Sequence, residues 1–102
     1  MKYLMMIFLG SFVSLSAKEY RIDQKNKKFS RDEITIKAGD KIRFRNSDPF
    51  FHNVYSLSPL KIFDLGSYSI GKSKTVKFNK PGVVEVNCAI HPNMKLKVRV
   101  KK

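Results

Sequence analysis

The stretch KPGVVEVNCAIHPNMKLKVRV, Lys80–Val100, decides the fold. Val84, Val86 and Cys88 fall on one face of VVEVNC, with Glu85 and Asn87 between them. Leu96, Val98 and Val100 repeat the pattern in LKVRV, alternating with Lys97 and Arg99. A period of two residues, apolar on one side and polar on the other, is the signature of a strand with one face buried. Pro81 and Gly82 stand where a type II turn wants them, ahead of the first run. A short loop carrying Cys88, His91, Pro92 and Met94 separates the two runs.

The same alternation recurs upstream. Tyr20 and Ile22, Ile34 and Ile36 in EITIK, Ile42 and Phe44 in KIRFR, and Val76 and Phe78 in KTVKF all alternate with charged neighbours. Ala38-Gly39-Asp40 and Asn79-Lys80-Pro81-Gly82 punctuate these runs as turns. No window beyond residue 18 has the periodicity of an amphipathic helix. Ser58–Gly71, with Pro59, Gly66 and Gly71, is the least regular segment and reads as a crossover holding one short strand or helical turn. The pattern predicts an all-β protein, an antiparallel β-sandwich of Greek-key type with about six to eight strands.

The chain opens MKYLMMIFLGSFVSLSA. A lysine, an apolar run over Leu4–Val13, and the small residues Ser14, Ser16 and Ala17 give the layout of a secretory signal peptide. The apolar run is short for a membrane span of about 20 residues. Cleavage after Ala17 is expected, an uncleaved anchor being the alternative. Residues 18–102 then form one domain in a periplasmic or otherwise exported protein. Cys88 is the only cysteine, so no internal disulfide is available. A leftover cysteine in an exported chain implies an intermolecular bridge, a reactive thiol or a metal ligand.

The chain carries 21 Lys and Arg against 8 Asp and Glu, for a net charge of +13. Lys2 lies in the leader, so the exported part keeps +12. Nucleic acid is the first partner such a balance brings to mind. Export and the lack of any nucleic-acid motif argue against it. An acidic protein partner or an anionic membrane surface fits better, with general solubility as the ordinary reading.

Cys88, His91 and Met94 step through the loop at intervals of three residues. Pro92 stiffens that loop because its φ is fixed. Singly, each residue has an ordinary reading: a buried thiol, a surface imidazole, a core thioether. Together they are soft or borderline donors, and a trigonal His₂Cys set with a weak axial Met is the copper electron-transfer arrangement. The second histidine is His52, in NSDPFFHNVYS after the KIRFR strand. If KIRFR and VVEVNC point their ends the same way, His52 faces Cys88 across the core. Zinc suits these ligands too. A c-type haem needs a second cysteine, and a cysteine-nucleophile enzyme lacks a visible catalytic partner or oxyanion-forming motif, so the chain is not read as an enzyme.

Asn46–Val100 resembles the cupredoxins, the small blue-copper family that includes plastocyanin, amicyanin and pseudoazurin. The residues that carry the likeness are HNV at His52–Val54, KPGVVEVNC and the loop CAIHPNM. The resemblance implies one mononuclear type 1 copper ion, with His52, Cys88 and His91 as strong in-plane ligands and Met94 as the long axial one. It makes Asn53 the residue whose side chain ties the two ligand loops together. It implies a monomeric electron shuttle whose partners are redox proteins such as a c-type cytochrome or a periplasmic oxidoreductase with an acidic docking surface. A copper carrier or sensor would use the same ligands. An apolar rim of Ile90, Pro92, Pro49 and Phe50 is expected around His91, although Phe50 and Phe51 could instead pack the loop. Leu96 departs from the family pattern, which usually has Gly two residues after the axial Met, and it bears on the axial geometry.

Overall fold

The computed structural model describes residues 17–102. The leader expected over residues 1–17 lies outside this range, apart from Ala17. Nine strands and no helix make up the described residues. They are β1 (Glu19–Lys25), β2 (Lys28–Phe29), β3 (Glu33–Lys37), β4 (Lys41–Asn46), β5 (His52–Ser56), β6 (Phe63–Tyr68), β7 (Ser73–Lys77), β8 (Gly82–Asn87) and β9 (Lys95–Lys101). One sheet has the order β2-β1-β4-β7 and the other β3-β9-β8-β5-β6.

The alternating residues decide which face of each strand is buried. Ile22, Ile42, Phe44, Val76 and Phe78 of the first layer meet Ile34, Ile36, Val84, Val86, Leu96 and Val98 of the second in one dry core. Fully burying a side chain of this size contributes about 1.5–3 kcal/mol. Tyr68 at the end of β6 donates its hydroxyl to Gln24 Oε1 of β1 at 2.5 Å, a buried polar tie between the layers. Burial first, and then the charge of Cys88, pushes the Tyr68 phenol well above its ordinary value, so it keeps its proton.

The architecture is the sandwich expected, with two differences. It has nine strands, because Asn26 and Lys27 turn the chain with φ of 56° and 58° and so create the two-residue β2. Two positive φ values in a two-residue loop make a type I′ hairpin, which sequence usually signals by Asn-Gly rather than Asn-Lys. The sheets are also not wholly antiparallel: β1 runs parallel to β4, and β3 parallel to β9. Alternation reports the buried face of a strand and is blind to the direction of its neighbour. The irregular segment contains β6.

Both layers present the same end of the molecule to the loops that carry the candidate ligands. At the opposite end, the Asp40 carboxylate accepts the backbone N–H groups of Lys18 and Lys37, each at 2.9 Å. The Lys18 N–H bond is the main cause that holds the Asp40 carboxyl below its ordinary value, against the burial that would raise it. A depressed folded-state pKa gives stability that is present in full above the unfolded value, about 4, and is lost as pH falls through the lower folded value. Asp40→Asn is expected to cost about 1–3 kcal/mol at neutral pH. Denaturant unfolding of both proteins should show this gap closing as the pH is taken through that acid window.

Candidate metal centre

β5 and β8 are antiparallel neighbours, with Tyr55 opposite Asn87. His52 opens β5 and Cys88 follows the last residue of β8, so both lie at one end of the same sheet. They meet as strand neighbours rather than across the core. His52 Nδ1 lies 3.7 Å from Cys88 Sγ, and His91 Nδ1 lies 3.9 Å from it. The three donor atoms all fall within 4.8 Å of one another. Donors bonded to one metal at about 2.0–2.3 Å and spread at trigonal angles lie about 3.8 Å apart. The spacing around Cys88 therefore fits a shared ion, and the donor types fit copper.

The loop after β8 gives this geometry a mechanical basis. Met94 N–H bonds His91 O at 3.0 Å, closing a turn over Pro92 and Asn93. Proline at its first central position pre-sets the φ that such a turn needs. Met94 is buried at the end of the turn, and His91 is half-buried beside it. Leu96 lies further on in β9, fully buried opposite Val86, as a core residue.

His52 is fully buried, and its other ring nitrogen is spoken for. Nε2 lies 2.7 Å from Asp48 Oδ2. An imidazole that gives its Nε2 proton to a carboxylate keeps the lone pair on Nδ1, the atom that faces Cys88. Asp48 also accepts the N–H groups of Asn26 at 2.7 Å and Lys27 at 3.0 Å. Burial alone would raise the Asp48 carboxyl, but the bond to His52 and these two N–H groups hold it below its ordinary value. Asn46 braces the intervening loop: its Nδ2 donates to Phe50 O and Tyr68 O, and its Oδ1 accepts the Asp48 N–H. The sequence reading missed Asp48. Its position four residues before His52 is the only linear signal, and the partners it bridges lie far away in sequence.

Asn53 ties the loops together as the family pattern leads one to expect. Its N–H points at Cys88 Sγ at 3.4 Å, and its Oδ1 accepts the Ala89 N–H at 3.4 Å. Its Nδ2 donates to Asp64 Oδ1 at 2.9 Å. That carboxylate is set in place by a bulge where the β5–β6 register shifts between Asn53 and Tyr55. Gly66, with φ of 73°, supplies the positive dihedral there and donates its own N–H to Asp64. Phe50 packs against both imidazoles, 5.3 Å from His52 and 5.2 Å from His91 between ring centroids, and the two imidazoles lie 4.9 Å from each other. It packs the site, while Ile90 and Pro92, on either side of His91 in the chain, stay exposed. Burial first, then the His52 and Lys27 charges, lowers the His91 imidazole below its ordinary value, which leaves it neutral and able to donate a lone pair at neutral pH.

The model of the copper binding proteins, plastocyanin/azurin family, matches residues 16–101. The chain belongs to this family. Amicyanin-alpha of Methylorubrum extorquens is 38% identical over 77 residues, covering 72% of this chain and 65% of that protein. The chain thus matches just under two thirds of that relative's length. A mutant of amicyanin in the Cu(I) form superposes with a TM-score of 0.76 at 21% identity, over 81% of this chain and 82% of that one. A copper-containing nitrite reductase from Thermus scotoductus SA-01 gives 0.76 at 23% identity, over 82% of this chain and 22% of that one. These structural likenesses establish the cupredoxin fold. Copper is the metal of the family, and the donor set formed by His52, Cys88 and His91, with Met94 beside it, fits a type 1 site.

Asp48→Asn replaces a charged acceptor of three N–H groups by a neutral one. It is expected to weaken copper affinity about 10–100-fold. Competition against a chelator of known affinity would read this directly.

Proposed function

We propose that this chain is an exported single-electron carrier, in which His52, Cys88, His91 and Met94 would hold a copper ion. The observation that carries the reading is the convergence of three donors from two loops to within 4.8 Å, each held by bonds made elsewhere in the fold. When bound, copper supplies a reversible one-electron couple between Cu(I) and Cu(II).

The protein's part is to hold the donors still. Asp48 fixes the His52 ring, the Asn53 N–H meets the Cys88 sulfur, and the Pro92 turn sets the span between His91 and Met94. A donor set anchored in this way moves little between oxidation states, so little reorganisation opposes electron transfer. Phe50 packs against both rings, which also touch each other, and so covers them from one side.

His91 is the ligand nearest solvent, and exposed Ile90 and Pro92 flank it. An apolar rim of this kind suits brief docking over a small area. A surface hollow beside it is lined by Lys27, Lys28 and Asn93 as well as His91. Two lysines next to the electron port favour an acidic redox partner, such as a cytochrome with a carboxylate-rich docking face. Their field accelerates encounter and is screened by salt.

Copper(II) added to the purified chain should give an intense visible thiolate-to-copper band, and Cys88→Ser should abolish it. A carrier that only hands metal on would not need the reversible potential that voltammetry should find. Met94→Leu should keep the colour and raise that potential, each tenfold shift in the redox equilibrium being about 59 mV for one electron. A colourless copper-loaded protein would overturn the assignment. The rate of electron exchange with an acidic partner should fall as salt rises, and should fall at low salt in Lys27→Gln/Lys28→Gln. Copper removal should lower the unfolding temperature, since free ligand at about a thousand times Kd stabilises by about 4 kcal/mol.

A further inference from the structure

The end of the sandwich opposite His91 gathers positive charge without neutralising it. Lys37 closes β3, Lys41 opens β4, Lys77 closes β7, Lys80 lies in the following turn, and Lys101 closes β9. The Ala38 N–H bonds Lys101 O and the Gly39 N–H bonds Phe78 O, which brings these strand ends to one pole. Lys41 stands directly opposite Lys77 in the β4–β7 register, and Lys37 registers with Lys101 between β3 and β9. Like charges paired across strands are destabilising. The two acids at this pole are engaged: Glu19 reaches Arg43 at 3.4 Å, and buried Asp40 is occupied by backbone N–H groups. Among the described residues no salt bridge includes any of these five lysines.

Apolar side chains stand in the same place. Ile62, in the loop between β5 and β6, is 68% exposed. With Leu60, Phe78 and Val84 it lines a shallow cavity of about 200 Å³ flanked by Lys61 and Lys80. The chain also enters the fold at this pole, where the Lys41 N–H bonds Lys18 O.

We infer that this lysine pole is a docking face for an anionic lipid surface, which holds the domain on the membrane with His91 turned outward to the partner. The inference rests on the proposed reading as an exported carrier, and it adds the surface on which that carrier works. Lysines near an anionic leaflet each strengthen binding about fivefold, and exposed Ile62 adds apolar burial. β8 runs from this pole to the metal centre, so its six residues, at about 3.3 Å each, keep the two faces about 20 Å apart.

The test uses the copper-loaded chain Lys18–Lys102, which contains all nine strands, and vesicles of phosphatidylcholine with or without phosphatidylglycerol. Co-sedimentation should show binding only with phosphatidylglycerol, and loss of binding near about 1 M salt, where charges are screened beyond about 3 Å. Lys41→Gln/Lys77→Gln/Lys80→Gln/Lys101→Gln should weaken it by nearly three orders of magnitude, about 600-fold. Lys72→Gln/Lys95→Gln, at the copper end, should stay within about twofold of the parent, far less than four pole lysines would contribute. The visible copper band, recorded on every sample, shows that each variant is folded and separates failure of this inference from failure of the copper assignment. Equal binding to both vesicle types overturns the inference, as does an equal loss in the copper-end variant. Absent vesicle binding together with slowed exchange with an acidic protein in the four-lysine variant would assign the pole to a protein partner, and overturn it as well.

Discussion

One buried carboxylate organises the business end of this molecule. Asp48 accepts the proton of His52 Nε2 and the N–H groups of Asn26 and Lys27. Removing any of these would leave a buried charge short of partners, which is far costlier than any net gain the bonds provide. The type I′ turn of the β1–β2 hairpin, the loop before β5 and the tautomer of His52 are thus fixed by the same two oxygens. Lys27 takes up a left-handed conformation that side chains seldom adopt, and its N–H meets Asp48 there. Lys27, which lines one hollow with His91, is consequently placed by the group that orients the His52 ring.

Most of the fold was legible because burial follows chain parity. Ile22, Ile34, Ile36, Ile42, Phe44, Val84, Val86 and Val98 are all buried, as their alternation requires. What stayed hidden depended on partners. Parallel pairing of β1 with β4 and of β3 with β9 leaves no trace in the period of either strand. β2 exists because a distant carboxylate meets the N–H groups of a turn that lacks the usual glycine. The segment before Gly71 left a short strand and a helical turn undecided, because its exposed Gly66 and Ser67 break the alternation where the bulge lies.

The site divides in the same manner. Cys88, His91 and Met94 were readable because three donors sit in one short loop, and His52 because no other histidine remained. Asn53 was found through family likeness, and its contacts with Ala89 and Asp64 give that likeness a physical content. Asp48 could not be found this way, since a carboxylate four residues before a histidine is commonplace. The split between Phe50 and Phe51 was equally closed to sequence: of two adjacent identical side chains, one packs against the imidazoles and the other is exposed to solvent.

The parallel pairing of β3 with β9 has a consequence for when the molecule becomes complete. Glu33–Lys37 finds its neighbour only in Lys95–Lys101, near the far terminus of the chain. Closing so large a loop is slow, because its entropy must be spent before the contacts form. Until the last strand is available, the second layer has no seat for β3, and the loop carrying Cys88, His91 and Met94 is tethered at one end alone. Such a chain stays open until its last strand is made, then closes late. The pocket lined by the donors of that loop is finished in the same final act.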